Sequence, residues 1–165
     1  MVEVGILGED DPLELIDGDL IEMAPQGPLH RGLTARVREQ LRVSFGPGHH
    51  VQDHSPIDAG ANSLPEPDIA VVIGEPNLEQ HPAGDEVALA LEISVTSQAI
   101  DRSKAAVYAR AGVREYWNLD VPARRLIVYR QPHPERGEYT LVAFLSDGDT
   151  VQAGPALVEV SDLLP

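Results

Sequence analysis

The stretch that decides the fold is Glu86 to Ala111, EVALALEISV followed by TSQAIDRSKAAVYARA. Glu86 to Val95 is apolar on both parities, as a central strand covered on two faces must be. The two parities differ in size. Leu89, Leu91, Ile93 and Val95 point one way, and Ala88, Ala90, Glu92 and Ser94 the other. A carboxylate at the end of a small-residue face has open space around it, which a site requires and a packed core does not. Ser97 to Ala111 then reads as a helix stopped by Gly112. At about 100° per residue, Asp101, Lys104 and Tyr108 fall on one side of it, next to Ile100, Val107 and Ala111. Lys104 therefore borders the buried face.

Lys104 is also the only lysine among twelve basic residues. Arginine is a permanently charged planar fork, whereas a lysine amine is a compact donor. A lone lysine in an arginine-rich chain points to a requirement for an ammonium, provided its neighbours call for one.

On the N-terminal side, Leu13 to Pro25 reads as two short strands around Asp17-Gly18. Leu29, Leu33, Val37 and Leu41 form an apolar stripe on a helix ending near Gly46-Pro47, with His30 at its start. Strands are expected near His50 to Ile57 and Asp68 to Ile73. On the C-terminal side, Glu115 to Leu119 and Arg124 to Arg130 read as a hairpin at a sheet edge, Glu138 to Leu145 as a strand, and Ala156 to Leu164 as untyped. A helix, strands, a second helix and more strands give an α/β (α+β) fold, a mixed central sheet flanked by helices.

The 165 residues suit one domain spanning 1–165, and no apolar stretch is long enough for a membrane helix. With no cysteine and an acidic N-terminus, a cytoplasmic location is the expectation. The net charge of −15 argues against a general nucleic-acid binder. It is unevenly spread, since residues 101–136 hold eight basic residues against four acidic ones, and Arg31, Arg36, Arg38 and Arg42 lie on the first helix. His49 and His50 alternate sides of a strand, so they cannot both join His54 in a zinc site.

Asp68, Glu92 and Lys104 are two carboxylates and an ammonium. That set suits phosphodiester hydrolysis, in which oxygen ligands hold Mg²⁺ and an amine positions the attacking water. LELIDGDLIEMAP, His30, EPDIAVV with Asp68, LALEISV with Glu92, Lys104 and YARAGVREYWNLD together resemble the PD-(D/E)XK nuclease superfamily, specifically its Uma-type restriction-endonuclease family. The resemblance covers roughly residues 13 to 145. It implies a restriction-endonuclease-like fold, DNA as substrate, and Mg²⁺ or Mn²⁺ held by Asp68, Glu92 and the backbone carbonyl of Ile93. His30 matches a family position and is a candidate base, metal-shell partner or helix-terminal donor. The E-x-K spacing of the superfamily would put lysine at position 94, where this chain has Ser94, so Lys104 becomes the substitute amine. Tyr116 and Trp117 read as core residues.

Two functions follow from this reading. One is a metal-dependent DNA endonuclease tied to restriction or mobile elements, acting as a homodimer. The alternative is a non-cleaving nuclease-fold module that assembles or regulates a partner, which the acidic net charge favours.

Overall fold

The computed structural model describes residues 12–23, 25–96 and 102–165. Strands β1 (Leu13–Ile16) and β2 (Asp19–Glu22) form an antiparallel hairpin. Helix α1 (Pro28–Phe45) begins with proline, whose missing N–H is no loss at that position, and ends at Gly46, where φ is 66°. Its buried side is His30, Leu33, Thr34, Val37, Leu41 and Ser44. Leu29, expected on the apolar stripe, is exposed instead. A repeat of four residues drifts about 40° per turn, so His30 rather than Leu29 continues the stripe inward.

The central sheet contains β3 (His49–Asp53), β4 (Ile69–Ile73), β5 (Val87–Ser94), β6 (Glu115–Asp120), β7 (Arg125–His133) and β8 (Glu138–Ser146), in that spatial order. Only β5 and β6 run parallel, joined by a crossover that includes α2 (Arg102–Ala111); the other neighbours are antiparallel. The result is a mixed six-stranded sheet with three α-helices among the described residues. Gly84 lies so close to the end of α2 that a Cβ there would come within 2.3 Å of the Ala111 carbonyl oxygen.

The sheet is covered on both faces. Leu33, Val37 and Leu41 of α1 pack on Ile69, Val71, Leu89, Leu91, Ile93, Trp117 and Leu119. Joining them on that side are β9 (Thr150–Ala153), β10 (Ala156–Glu159) and α3 (Val160–Leu163), through Val151, Val158 and Leu163. The opposite face packs Ala105, Tyr108 and Ala109 of α2 against Ala70, Val72, Ala90 and Tyr116. The large-and-small division of β5 read from the sequence thus separates the two cores. Val87 and Ala88 are the exceptions: an irregularity between Val71 and Val72 skips Ala88 in the pairing, so Ala88 packs with the α1 face and Val87 with the α2 face.

Two other expectations are corrected. The hairpin Glu115 to Arg130 is not a sheet edge, because β6 and β7 lie inside the sheet and β8 occupies the margin. The buried runs in β6 and β7 carried that signal. The strand expected from His50 to Ile57 stops at Asp53, where His54 takes a positive φ of 45° and the chain turns. Asp101 and the first turn expected at Ser97 lie outside the described residues. Tyr116 and Trp117 are buried, as the sequence reading had them. No described helix is long and apolar enough to cross a membrane.

Candidate active site

Asp68 immediately precedes β4, and Ile69 pairs with Leu91 of the neighbouring antiparallel β5. Continuing that register places Asp68 opposite Glu92 and Pro67 opposite Ile93. The Ile93 N–H, with no ordinary ladder partner, donates to Asp68 Oδ2 at 2.7 Å. A residue in a strand presents its N–H and C=O toward the same neighbour. The Ile93 carbonyl therefore faces Pro67, which has no N–H to offer it. The pairing leaves a backbone oxygen without a ladder donor beside the two carboxylates, and the His30 ring interacts with it instead.

Asp68 is buried among nitrogen-bearing side chains. His30, in the first turn of α1, reaches Oδ2 with Nε2 at 3.1 Å. Gln26 Nε2 stands 3.4 Å from Oδ1, and His54 Nδ1 stands 3.7 Å from it. Thr34 donates its hydroxyl to the His30 carbonyl at 3.0 Å, leaving its oxygen to face His30 Nδ1 at 3.4 Å. This arrangement suits a doubly protonated ring, and the Asp68 hydrogen bond holds the His30 pKa above its usual value against the opposing effect of burial.

Glu92 is served from the α2 side. Lys104 and Tyr108, one helical turn apart, both reach its Oε1: the ammonium at 3.0 Å and the phenol hydroxyl, which donates, also at 3.0 Å. The ammonium is shared with Glu14 of β1, whose Oε1 lies 2.8 Å away. Burial pushes the Glu92 carboxyl up to about 7; Lys104 opposes the shift, while Asp68 and Glu14 reinforce it. Lys104 is raised above the ordinary lysine value, because Glu92 and Glu14 together outweigh its burial. Burial and the nearby Glu92 charge also hold Tyr108 firmly protonated. Ser94, at the position where the superfamily spacing puts lysine, accepts a hydrogen bond from Asn118 Nδ2 at 3.2 Å.

Apart from Thr34 and Tyr108, these groups line one cavity of about 390 Å³, together with Glu22, Glu66 and Thr96. A larger cavity, about 490 Å³ near Arg38, His50 and Glu75, has no comparable convergence of buried charge. All four candidate side chains from the sequence, His30, Asp68, Glu92 and Lys104, meet in the smaller cavity. Four residues that sequence reasoning passed over also line it: Glu14, Gln26, His54 and Glu66. The signal for Glu14 was available, since it shares the inward parity of β1 with Ile16, where a lone carboxylate is unusual. His54 gave none, because a left-handed turn aims its ring. The three neighbouring histidines diverge: His49 packs edge-on to Phe45, His50 bonds the Gly74 carbonyl, and His54 turns to Asp68.

Among the described residues no three His, Asp or Glu side chains form a ready metal cage. The donor set nonetheless fits a hard divalent ion that retains several waters, since it offers carboxylate oxygens and a carbonyl without a ladder donor. Glu92 Oε2 has no hydrogen-bond partner among the described residues, and the cost of burying this carboxylate is the kind a cation relieves.

The family model described as "Putative restriction endonuclease" (Uma2) matches residues 3–164. The chain belongs to the Uma2 family. A crystal structure titled as a putative nuclease of DUF820, from Anabaena variabilis ATCC 29413, superposes with a TM-score of 0.75 at 19% identity. The match covers 95% of this chain and 92% of that one, and it supports the nuclease-like fold independently of side-chain chemistry. No curated protein matches the chain. The Uma2 assignment accords with the mixed sheet and with the sequence resemblance carried by Asp68, Glu92 and the YARAGVREYWNLD segment. Restriction-endonuclease-like families generally use divalent metals, and the oxygen-rich cavity is compatible with that habit.

Proposed function

We propose that this chain is a Mg²⁺- or Mn²⁺-dependent endonuclease that hydrolyses phosphodiester bonds in DNA. The observation carrying the reading is the opposition of Asp68 and Glu92 across β4 and β5, with the Lys104 ammonium 3.0 Å from Glu92. In this reading Asp68, Glu92 and the carbonyl of Ile93 hold the ion. When bound, it supplies charge to the phosphate oxygens and lowers the pKa of a coordinated water.

The protein's own groups have distinct tasks. His30 and the Ile93 amide fix Asp68 by its Oδ2, while Oδ1 meets only the longer contacts of Gln26 at 3.4 Å and His54 at 3.7 Å. Tyr108 and Lys104 fix Glu92 by Oε1, and no described residue engages Oε2. The Lys104 ammonium has three donors, two of them engaged by carboxylates. Its third, without a partner among the described residues, is the one to orient the attacking water or to offset charge on a phosphoryl oxygen. Held as an ammonium, Lys104 acts as a donor and not as the base.

Cutting both strands of a duplex suits a two-fold assembly, so a homodimer is part of the proposal. The single-domain reading of residues 1–165 and the link to restriction or mobile elements also stand as proposals.

The test is cleavage of supercoiled plasmid with Mg²⁺ or Mn²⁺, comparing native protein with Asp68→Asn and Glu92→Gln. Metal-dependent nicking lost in both variants supports the endonuclease. Folded native protein that neither binds Mn²⁺ nor cuts plasmid favours the non-cleaving module, which the net charge of −15 also favours.

A further inference from the structure

β1 lies outside the sheet that carries Asp68 and Glu92, yet one of its side chains ends at the centre of the cavity. Glu14 is 5% exposed. Its Oε1 stands 2.8 Å from Lys104 Nζ, closer than Glu92 does, and its Oε2 accepts the Glu66 N–H at 3.2 Å. Both oxygens are therefore directed, one to the site and one to the backbone beside it.

The hairpin is itself tied down. Leu64 N–H donates to the Leu15 carbonyl and Gly18 N–H to the Asn62 carbonyl, each at 2.8 Å. Asp17 N–H donates to Ser63 Oγ at 2.9 Å, and the Asp17 carboxylate pairs with Arg110 on α2, the helix that carries Lys104. A small strand pair is thus clamped to the segment leading to Asp68 and to the helix supplying the amine.

Packing alone does not account for a carboxylate here. A buried ion pair contributes little net stability compared with well-packed apolar residues of similar size. What the pair provides is position. A lysine head on a four-carbon stem samples many rotamers, and one hydrogen bond to Glu92 restrains it only partly. A second carboxylate on another element fixes the ammonium between two points and determines the direction of its remaining N–H.

We propose that Glu14 is a positioning residue, brought in by the β1–β2 hairpin, that holds the Lys104 ammonium against Glu92 and aims its third N–H into the cavity. The kinetic consequence rests on the endonuclease reading. The positional one does not.

Because Lys104 is the sole lysine, protein labelled with ¹⁵N-lysine gives a single side-chain ammonium signal. Glu14→Gln should speed solvent exchange of that ammonium about tenfold or more, the loss expected for one charge-assisted hydrogen bond. Glu14→Asp keeps the charge but withdraws it by one methylene, so its effect should be intermediate. Backbone amide spectra establish that each variant is folded, and if Glu14→Gln is not, Glu14→Asp decides. In plasmid cleavage, kcat should fall while KM stays within about twofold, as for an interaction made chiefly in the transition state. Ammonium exchange unchanged in the folded variants overturns the proposal, as does a cleavage defect confined to KM. If native protein does not cut DNA, the endonuclease reading fails while the ammonium measurement still decides the role of Glu14.

Discussion

The Lys104 ammonium lies 3.0 Å from Glu92 Oε1, although the two residues belong to a helix and a strand twelve positions apart in sequence. The strand position two after Glu92 is Ser94, and it is engaged by Asn118. The amine therefore enters the cavity from α2, one turn before Tyr108, and both donors converge on the same carboxylate oxygen. That convergence leaves Oε2 of Glu92 without a partner among the described residues, and it explains how the site can lack a strand lysine without lacking an ammonium.

A divalent ion should stabilise the fold. A site assembled only in the native state gains about 2.7 kcal/mol at a hundredfold excess of ligand over its dissociation constant. The melting temperature should rise with Mn²⁺ or Mg²⁺, and Glu92→Gln should remove most of the rise. Differential scanning fluorimetry across a metal titration tests this, and identical gains in native protein and Glu92→Gln would exclude Glu92 as a ligand.

Stability in the absence of metal should fall as pH rises through neutrality. Glu92 goes from 4.5 in the unfolded chain to about 7 in the folded one, so between those values the native state holds a proton that the unfolded state has released. Unfolding free energy then declines with pH across that window, by on the order of 3 kcal/mol at its upper end. His30 acts in the same direction: its raised pKa contributes stability below 6.5 that is lost as pH rises through the folded value. Lys104, whose pKa is also raised, acts in the same direction, but only in strongly alkaline solution outside this range. Urea denaturation in EDTA should give greater stability at pH 5.5 than at pH 8, with a flatter profile in Glu92→Gln. A profile rising with pH in native protein would contradict the burial assigned to Glu92.

The order of elements and the division of β5 into large and small faces were readable because burial on two sides leaves a pattern in sequence. The convergence of Asp68, Glu92 and Lys104 was readable for a related reason: each is a charge in or beside an apolar run. What escaped depended on non-local geometry. Glu14 reaches the cavity because a hairpin folds over it, and His54 because one residue adopts φ 45°. The interior position of β6 and β7 was signalled by their buried runs, whereas the strand that covers β7 is settled by its pairing with β8, which no local pattern specifies.

A homodimer of the kind proposed for double-strand cleavage should use β8. As an outer strand it offers unpaired backbone groups, with Leu141 and Phe144 exposed at 46% and 63%. Light scattering on the native protein should give the dimer mass, and Leu141→Lys with Phe144→Lys should give a folded monomer. A monomeric native protein at assay concentration would remove the two-fold model of double-strand cleavage.

Replacing Lys104 has separable consequences for stability and for catalysis. Its ammonium is the shared partner of Glu14 and Glu92, so Lys104→Met strands two buried carboxylates. Removing one partner of a buried pair costs about 3–5 kcal/mol, and the loss should shrink at acid pH as those carboxylates protonate. Cleavage should fall by roughly 10²–10⁴-fold, the usual contribution of one placed donor or acid–base group. Lys104→Arg should recover stability better than activity, because a planar guanidinium keeps the charge but cannot match a compact ammonium between two carboxylates. Ser94→Lys combined with Lys104→Met returns an amine to the strand, two positions after Glu92, and should restore part of the rate. Assays run below the melting temperature of each variant, with Mn²⁺ on plasmid DNA, distinguish the two effects. Native-level cleavage by folded Lys104→Met would show that the ammonium belongs to the architecture of the site and not to its chemistry.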